Sequence, residues 1–499
     1  MRPVGAARAN RTTTLCGMRA SPSVSGTAWF AALLGLLFAL VVQCHSATAW
    51  SQKSLVKQVE LGGSVAQFQW DIIAKSSGEE PEYATMETIP LVVYLSRSEE
   101  NRLSSIRASV SSLADKKESK RIAVERGGAL EGDDDTYWYA AEIPKDLAMS
   151  GAELRVRVVA SILHDADPLP KSIRQAEKQM LLWTGDVSLR TPYATAKGSV
   201  VIKTPGPQIL SYEPKDDAKQ EAKTITYGPY KEVPAYVPGS SAVTQGRVHY
   251  EFDRPVITYV NFDRHVEVSH WGDNLATADT IWMRNDGPTL KGQFSRAKHM
   301  VNMWSNPTSE IAAQIHSVPV MLPPASSDAY FVDAAGNVSS SALSPDTPGL
   351  LLPRRLDLQP RFPLLGGWNY TFTVGWNQRM SAAGMAKRLP EAHRFRVAVP
   401  FLTAPNNVAV DHAKLRIVLP EGASNINLTL PFDMDSEHIE TYPTYLDTVG
   451  RPAVILQRAK CTSKLNSFVY VDYTLSPLAH VRKILAVASA IALVFFIAA

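Results

Sequence analysis

The chain has 499 residues, and its 51 lysines and arginines nearly balance 48 aspartates and glutamates, for a formal net charge of +3. Removing the first 49 residues, which hold Arg2, Arg8, Arg11 and Arg19 and no acid, brings that charge to −1 (3 − 4). This excludes nucleic acid as an electrostatic partner, because phosphate backbones demand clustered cations.

Residues 1–49 read as a cleaved secretory signal peptide: a basic start, an apolar run from Ala28 to Val42 and the small-x-small site Ala47-Thr48-Ala49. Met18 is an alternative start, and an uncleaved signal anchor an alternative fate. The three cysteines of the full chain reduce to Cys461 after cleavage, so no intrachain disulfide forms, and Cys461 reads as a strand residue.

Residues 50–203 are expected to form a first lumenal β-rich domain. Glu99 to Ala114 is its best helical pattern, with Leu103, Ile106, Val110 and Leu113 on one side. The acidic run Glu131 to Asp135 lacks the ordered ligand spacing of a calcium loop and reads as a solvated turn. Period-two alternation of Leu154, Val156 and Val158 with Glu153, Arg155 and Arg157 marks a half-buried strand. Residues 204–246, rich in charge and then in proline and glycine, are expected to be an interdomain linker.

Residues 247–477 are expected to form a second β-rich domain. Its alternating sets are Phe395, Val397, Val399, Phe401; Leu415, Ile417, Leu419; and Ile426, Leu428, Leu430. Many such strands with Gly/Pro breaks argue for a mainly β chain with two sandwich-like domains. No internal repeat is apparent in the sequence. His265, Glu267 and His270 suggest a metal site, but on a strand His270 falls on the face opposite the other two, so polar strand positions are the better reading. Trp368 and Trp376 suit sugar stacking, yet at strand spacing they read as core. Three Asn-x-Ser/Thr acceptors remain, Asn337, Asn369 and Asn427. Phase turns Asn427 away from Ile426 and Leu428, and Asn369 away from Tyr370, Phe372, Val374 and Trp376, on an edge or surface strand. Residues 478–499 are expected to form a single transmembrane helix if Arg482 and Lys483 reach back to the headgroups. A tail signal for lipid-anchor attachment is the alternative.

No Gly-x-Ser-x-Gly, His-Glu-x-x-His or phosphate-cradling glycine loop is present in the sequence, which favours a binding or scaffold protein over an enzyme. From about Tyr137 to Val481, ordered segments including "YGPYKEVPAY" (Tyr227 to Tyr236), "VEVSHWG" (Val266 to Gly272), "PRFPLLGGW" (Pro360 to Trp368) and "TYLDTVGRP" (Thr444 to Pro452) are similar to the ribophorin I family. The resemblance implies a type I protein of the endoplasmic reticulum membrane, a subunit of oligosaccharyltransferase. That complex transfers an oligosaccharide from dolichol pyrophosphate to Asn in Asn-x-Ser/Thr. The family's catalytic site lies on a different, multi-spanning subunit, so the resemblance supplies no catalytic, metal or cofactor residue. Implied partners are the other subunits, nascent polypeptides and the membrane. A membrane- or lipid-anchored β-sandwich adhesion or structural protein is the alternative.

Overall fold

The structure, a computed structural model, describes residues 50–498 except 77–85, 114–118, 150, 176, 240–243, 306–312, 346–351, 392 and 445–446. The signal-peptide reading of residues 1–49 lies outside the described residues. Strands dominate, and they fall into two sets built to one plan.

The first set centres on an eight-stranded sheet. Its strands run in the order Ala218–Glu221, Thr224–Val233, Thr195–Lys203, Trp50–Glu60, Val65–Ser76, Leu154–Leu163, Leu103–Ser112 and Lys120–Ile122. The second set has the order Ser436–Tyr442, Arg451–Cys461, Ala409–Val418, Ile257–Ser269, Asn274–Asn285, Asn369–Arg379, Ser326–Asp333 and Gly336–Asn337. Position by position, the two series follow the same sequence order. The pairings agree in sense too. Each central strand has one parallel neighbour, Trp50–Glu60 beside Thr195–Lys203 and Ile257–Ser269 beside Ala409–Val418, and the other ladders are antiparallel.

The smaller sheets repeat as well. A four-stranded sheet (Ile209–Glu213, Gln245–Glu251, Met180–Asp186, Ala166–Pro168) has its counterpart in Ala423–Thr429, Phe468–Leu475, Arg394–Pro400 and Ala386–Arg388. A three-stranded sheet (Thr88–Ser96, Asp133–Pro144, Val124–Leu130) matches Val318–Leu322, Arg354–Leu358 and Ser341–Leu343. The two-residue ladder of Ser172–Ile173 with Thr289–Leu290 crosses between the sets. The chain is therefore a structural duplication, which corrects the expectation of no repeat. Each half has its own core. One spans Trp50 to Val256 and the other Tyr259 to Ala479.

Two further expectations are corrected. Glu99 to Ala114 is not a helix: a capped turn of helix, Arg97–Glu100, is followed by the strand Leu103–Ser112. A register shift between Leu103 and Ser105 lets Leu103 and Ile106 pack on the same core, three residues apart, and so imitates helical spacing. Residues 204–246 are not a free connection. They contribute Ile209–Glu213, Ala218–Glu221 and Thr224–Val233 to the sheets, and the strand Gln245–Glu251 begins within them. Ile225 and Tyr227 are fully buried there, behind an otherwise polar surface.

Among the described residues no helix is long and apolar enough to cross a membrane. The longest is the C-terminal one, Pro477–Ala498, of 22 residues.

Candidate functional site

The two halves meet along the Leu103–Ser112 and Arg451–Cys461 strands, and a cleft of about 750 Å³ opens beside that seam. Across that seam Ser104 Oγ and Thr462 Oγ1 are 3.2 Å apart, both residues buried. Arg458 Nη2 donates to the Ser104 carbonyl at 3.2 Å, while its guanidinium lies 4.9 Å from the Phe432 ring centre. Arg107 donates to the carbonyl of Lys464 from the other side. A second seam holds Val65 and Leu163 against Ala409, with His164 Nε2 2.7 Å from Asp411 Oδ1.

The cleft walls carry more positive than negative charge. Arg107, Arg121, Arg126, Arg458 and Lys460 face Glu100, Asp433 and Asp435. Arg126 is paired with Glu100 at 2.6 Å, and Tyr139 donates to the same carboxylate. Burial, then repulsion from Arg121, lowers the Arg107 pKa from its ordinary value. Such a site suits an anionic group or the carbonyls of an extended chain. Arg121 and Ile122 of the strand Lys120–Ile122 line it at the edge of the first large sheet, where among the described residues no further strand pairs, a position suited to strand addition.

Sequence reading did not find this cleft, since its walls come from residues between Glu100 and Tyr139 and between Pro431 and Ser467, far apart in the chain. The residues it did single out are spread elsewhere. His265 Nε2 lies 3.2 Å from Glu267 Oε1, while His270 Nε2 contacts Tyr473 OH at 2.5 Å, so the three do not converge. Among the described residues no His/Cys/Asp/Glu group could hold a metal ion. In the acidic turn, Asp133 accepts from Tyr236 OH (2.6 Å), Thr136 Oγ1 (2.7 Å) and the Asp135 backbone (2.9 Å). Although burial opposes ionisation, these bonds hold its carboxyl below the usual range.

Cys461 ends a strand and is fully buried, and burial pushes its thiol up to about 12. Trp376 is core, its ring centre 5.6 Å from the Arg264 guanidinium. Trp368 is half exposed in an aromatic cluster with Phe294 (6.3 Å) and Phe362 (6.1 Å).

All three Asn-x-Ser/Thr asparagines are exposed. Asn337 lies on the edge strand Gly336–Asn337, and Asn427 opposite Asp472 in the Ala423–Thr429 ladder. Asn369 opens the strand Asn369–Arg379, which is flanked on both sides, so of the two expected placements, an edge or a surface strand, the edge is ruled out. Its side chain nonetheless alternates outward, opposite buried Tyr370, Phe372, Val374 and Trp376.

At the far end of the second half, the C-terminal helix is seated on the sheet. The Ala479 amide is capped by Ser476 Oγ at 3.2 Å, and Ala479 is buried. Arg482 Nη1 is 4.0 Å from Glu421 Oε1, which also accepts the amides of Thr448 (2.8 Å) and Val449 (3.0 Å). Burial works against the Glu421 charge, but these bonds outweigh it and lower the carboxyl's pKa.

A family model described as Ribophorin I matches residues 50–499. Subunit 1B of dolichyl-diphosphooligosaccharide–protein glycosyltransferase from Oryza sativa subsp. japonica is 30% identical over 345 residues, covering 69% of this chain and 68% of that protein. Subunit 1 of the same enzyme from Caenorhabditis elegans is 25% identical over 443 residues, covering 89% and 69%. Among solved structures, the M1 zinc metallopeptidase from Deinococcus radiodurans is 11% identical, covers 44% of this chain and 43% of that one, and has a TM-score of 0.25, too low to bear on fold or function.

Proposed function

The chain belongs to the ribophorin I family, and from that premise we propose that it is a non-catalytic subunit of oligosaccharyltransferase, supporting protein N-glycosylation in the lumen of the endoplasmic reticulum. The family match across both halves, residues 50–499, is the observation that carries this reading. Relatives at 25–30% identity bear the name of subunit 1 of that transferase.

The role is positioning. The two cores hold the cleft walls in place, and a chain or partner subunit held there is kept at high effective concentration near the catalytic subunit. The cationic surplus and the free strand edge suit an extended acceptor polypeptide. The helix Pro477–Ala498 is the anchor. Its uninterrupted apolar run, Ile484 to Ala498, reaches only about 22 Å at 1.5 Å each, against a ~30 Å hydrocarbon core, so in this reading the bilayer thins around it. Arg482, two residues before that run, lies at the headgroups. Val494, Phe495, Phe496 and Ile497 are 65%, 71%, 82% and 75% exposed, with no protein core to cover them. Asn337, Asn369 and Asn427 carry N-glycans in this reading; glycosidase treatment of each Asn→Gln variant gives one band shift fewer than the parent, and an unchanged pattern removes that site.

Purification of the full chain in mild detergent from native membranes is the direct test. The multi-spanning catalytic subunit is expected to co-purify, and its absence sinks the assignment. The cleft has its own test. Arg121→Glu with Lys460→Glu is expected to reduce crosslinking to acceptor chains several-fold while leaving assembly intact; unchanged crosslinking moves the acceptor elsewhere.

A further inference from the structure

One end of the second large sheet is built from turns that converge on the start of the C-terminal helix. The turn joining Ile257–Ser269 to Asn274–Asn285 holds Trp271, and the loop joining Ser436–Tyr442 to Arg451–Cys461 holds Val449. Register sets these level with one another and with the ends of two neighbours: Ser269 faces Asn274, Asn274 faces Arg379, Glu267 faces Val418, and Tyr442 faces Arg451. Trp271 is 70% exposed and Val449 63%. Trp271 and Ala479 line the same hollow of about 240 Å³, together with Pro420 and Arg451.

Only Ser476 separates the last strand, Phe468–Leu475, from the helix Pro477–Ala498. The helix base is also locked to the sheet through Ala479 and the Arg482–Glu421 pair. The height of these turns above a bilayer is therefore set by the depth of the helix. With the apolar run starting at Ile484, Ala479 sits about 7–8 Å above the hydrocarbon. That is the depth of the headgroup layer, roughly 5–8 Å on each side of the ~30 Å core. Tryptophan favours this layer, because its ring is apolar and its N–H is polar. Arg379, exposed at the same end, and Arg482 supply cations at phosphate height.

We propose that this end of the sheet is a membrane-contact surface, with Trp271 seated among the lipid headgroups of the leaflet that the C-terminal helix enters. The inference rests on the reading of Pro477–Ala498 as a span. It bounds the posture of the second half: Asn369, at the other end of the 11-residue strand Asn369–Arg379, lies at most about 35 Å above that end of the sheet.

The test uses the full chain in phosphatidylcholine vesicles whose acyl chains are brominated near the headgroup. Lipid quenching of tryptophan fluorescence is expected to disappear in Trp271→Phe and to persist in Trp282→Phe and Trp368→Phe, which alter the half-exposed indoles elsewhere. An unchanged denaturation midpoint for Trp271→Phe establishes that its fold is intact. Quenching that survives Trp271→Phe overturns the proposal. So does a Trp271 shielded from aqueous acrylamide but not quenched by lipid, the mark of a covering polypeptide. Alkaline carbonate separates the two readings. Release of the chain defeats the span and the contact surface together, whereas a retained chain with unquenched Trp271 defeats the contact surface alone.

Discussion

The two halves share one strand plan but support it with different chemistry, most visibly at a buried cation. Lys57 is the eighth residue of Trp50–Glu60, and Arg264 is the eighth of its counterpart Ile257–Ser269. Lys57 Nζ donates to the Asp186 carbonyl at 3.3 Å, and Arg264 Nη1 to the Pro400 carbonyl at 2.8 Å. Those carbonyls end equivalent strands, Met180–Asp186 and Arg394–Pro400. The anions differ. Lys57 pairs at 3.0 Å with Glu99, on a short helix between strands. Arg264 makes a two-pronged pair, 2.7 and 2.6 Å, with Asp279 on the adjacent strand. A cation is thus a fixed part of the plan, because it satisfies a strand-end carbonyl inside the core. The source of its counter-charge is free to vary.

The largest expected effect breaks that comparison. Arg264→Met leaves Asp279 fully buried with its partner gone, which costs about 3–5 kcal/mol. Lys57→Met is expected to cost less, since Glu99 keeps its 2.8 Å bond from the Ser96 amide. Denaturant titration of the full chain compares the two. Equal losses refute the explanation. Arg264→Met with Asp279→Leu is expected to recover most of the loss, because the unpaired charge is gone.

A second difference sharpens the comparison through pH. Asp165 immediately precedes the strand Ala166–Pro168, and Met385 immediately precedes its counterpart Ala386–Arg388. Burial raises the Asp165 carboxyl from 3.8 to about 7, opposed by Arg102 and by the Trp183 N–H. Its folded pKa is raised, so the folded state binds the extra proton between those values. Stability is full below the ordinary carboxylate pKa and falls as pH rises through about 7. The loss is of the order of 2–4 kcal/mol. Asp165→Asn is expected to flatten this slope in unfolding midpoints between pH 4.5 and 8. A slope that persists places the titration elsewhere.

The smallest of the three concerns the helix base, which has no counterpart in the first half. Gly422 has φ +84°, and a Cβ there meets the Ala479 Cβ at 2.8 Å. Gly422→Ala is expected to cost about 1–2 kcal/mol and to raise proteolysis near Ser476. Wild-type protection at Ser476 shows that the helix seat tolerates the methyl.

The strands most legible in the sequence are those whose buried face is purely apolar. Leu154, Val156 and Val158, and likewise Leu415, Ile417 and Leu419, are buried as their alternation indicated. Leu103–Ser112 misled because a bulge shifts its phase, putting Leu103 out of step with Ile106, Ala108 and Val110 on the same core. The 204–246 segment misled because two buried residues, Ile225 and Tyr227, anchor a strand whose surroundings are polar. The duplication was hidden for a physical reason. It resides in which strands pair, and pairing tolerates the replacement of Lys57 by arginine or Asp165 by methionine at corresponding places. The cleft was invisible because no local pattern announces two distant segments that meet.

The parallel neighbour of each central strand carries a consequence for biosynthesis. A chain made from its amino end presents Trp50–Glu60 long before Thr195–Lys203 exists to cover its second flank. The same wait recurs for Ile257–Ser269 and Ala409–Val418. Each interval leaves an uncovered strand edge, open to wrong partners, for as long as elongation lasts. The first half can close once Gln245–Glu251 has been made, whereas the second waits for Phe468–Leu475, one residue before the helix. Slowing translation therefore lengthens two separate windows of vulnerability, and a chaperone that guards one of them must be free to guard the other.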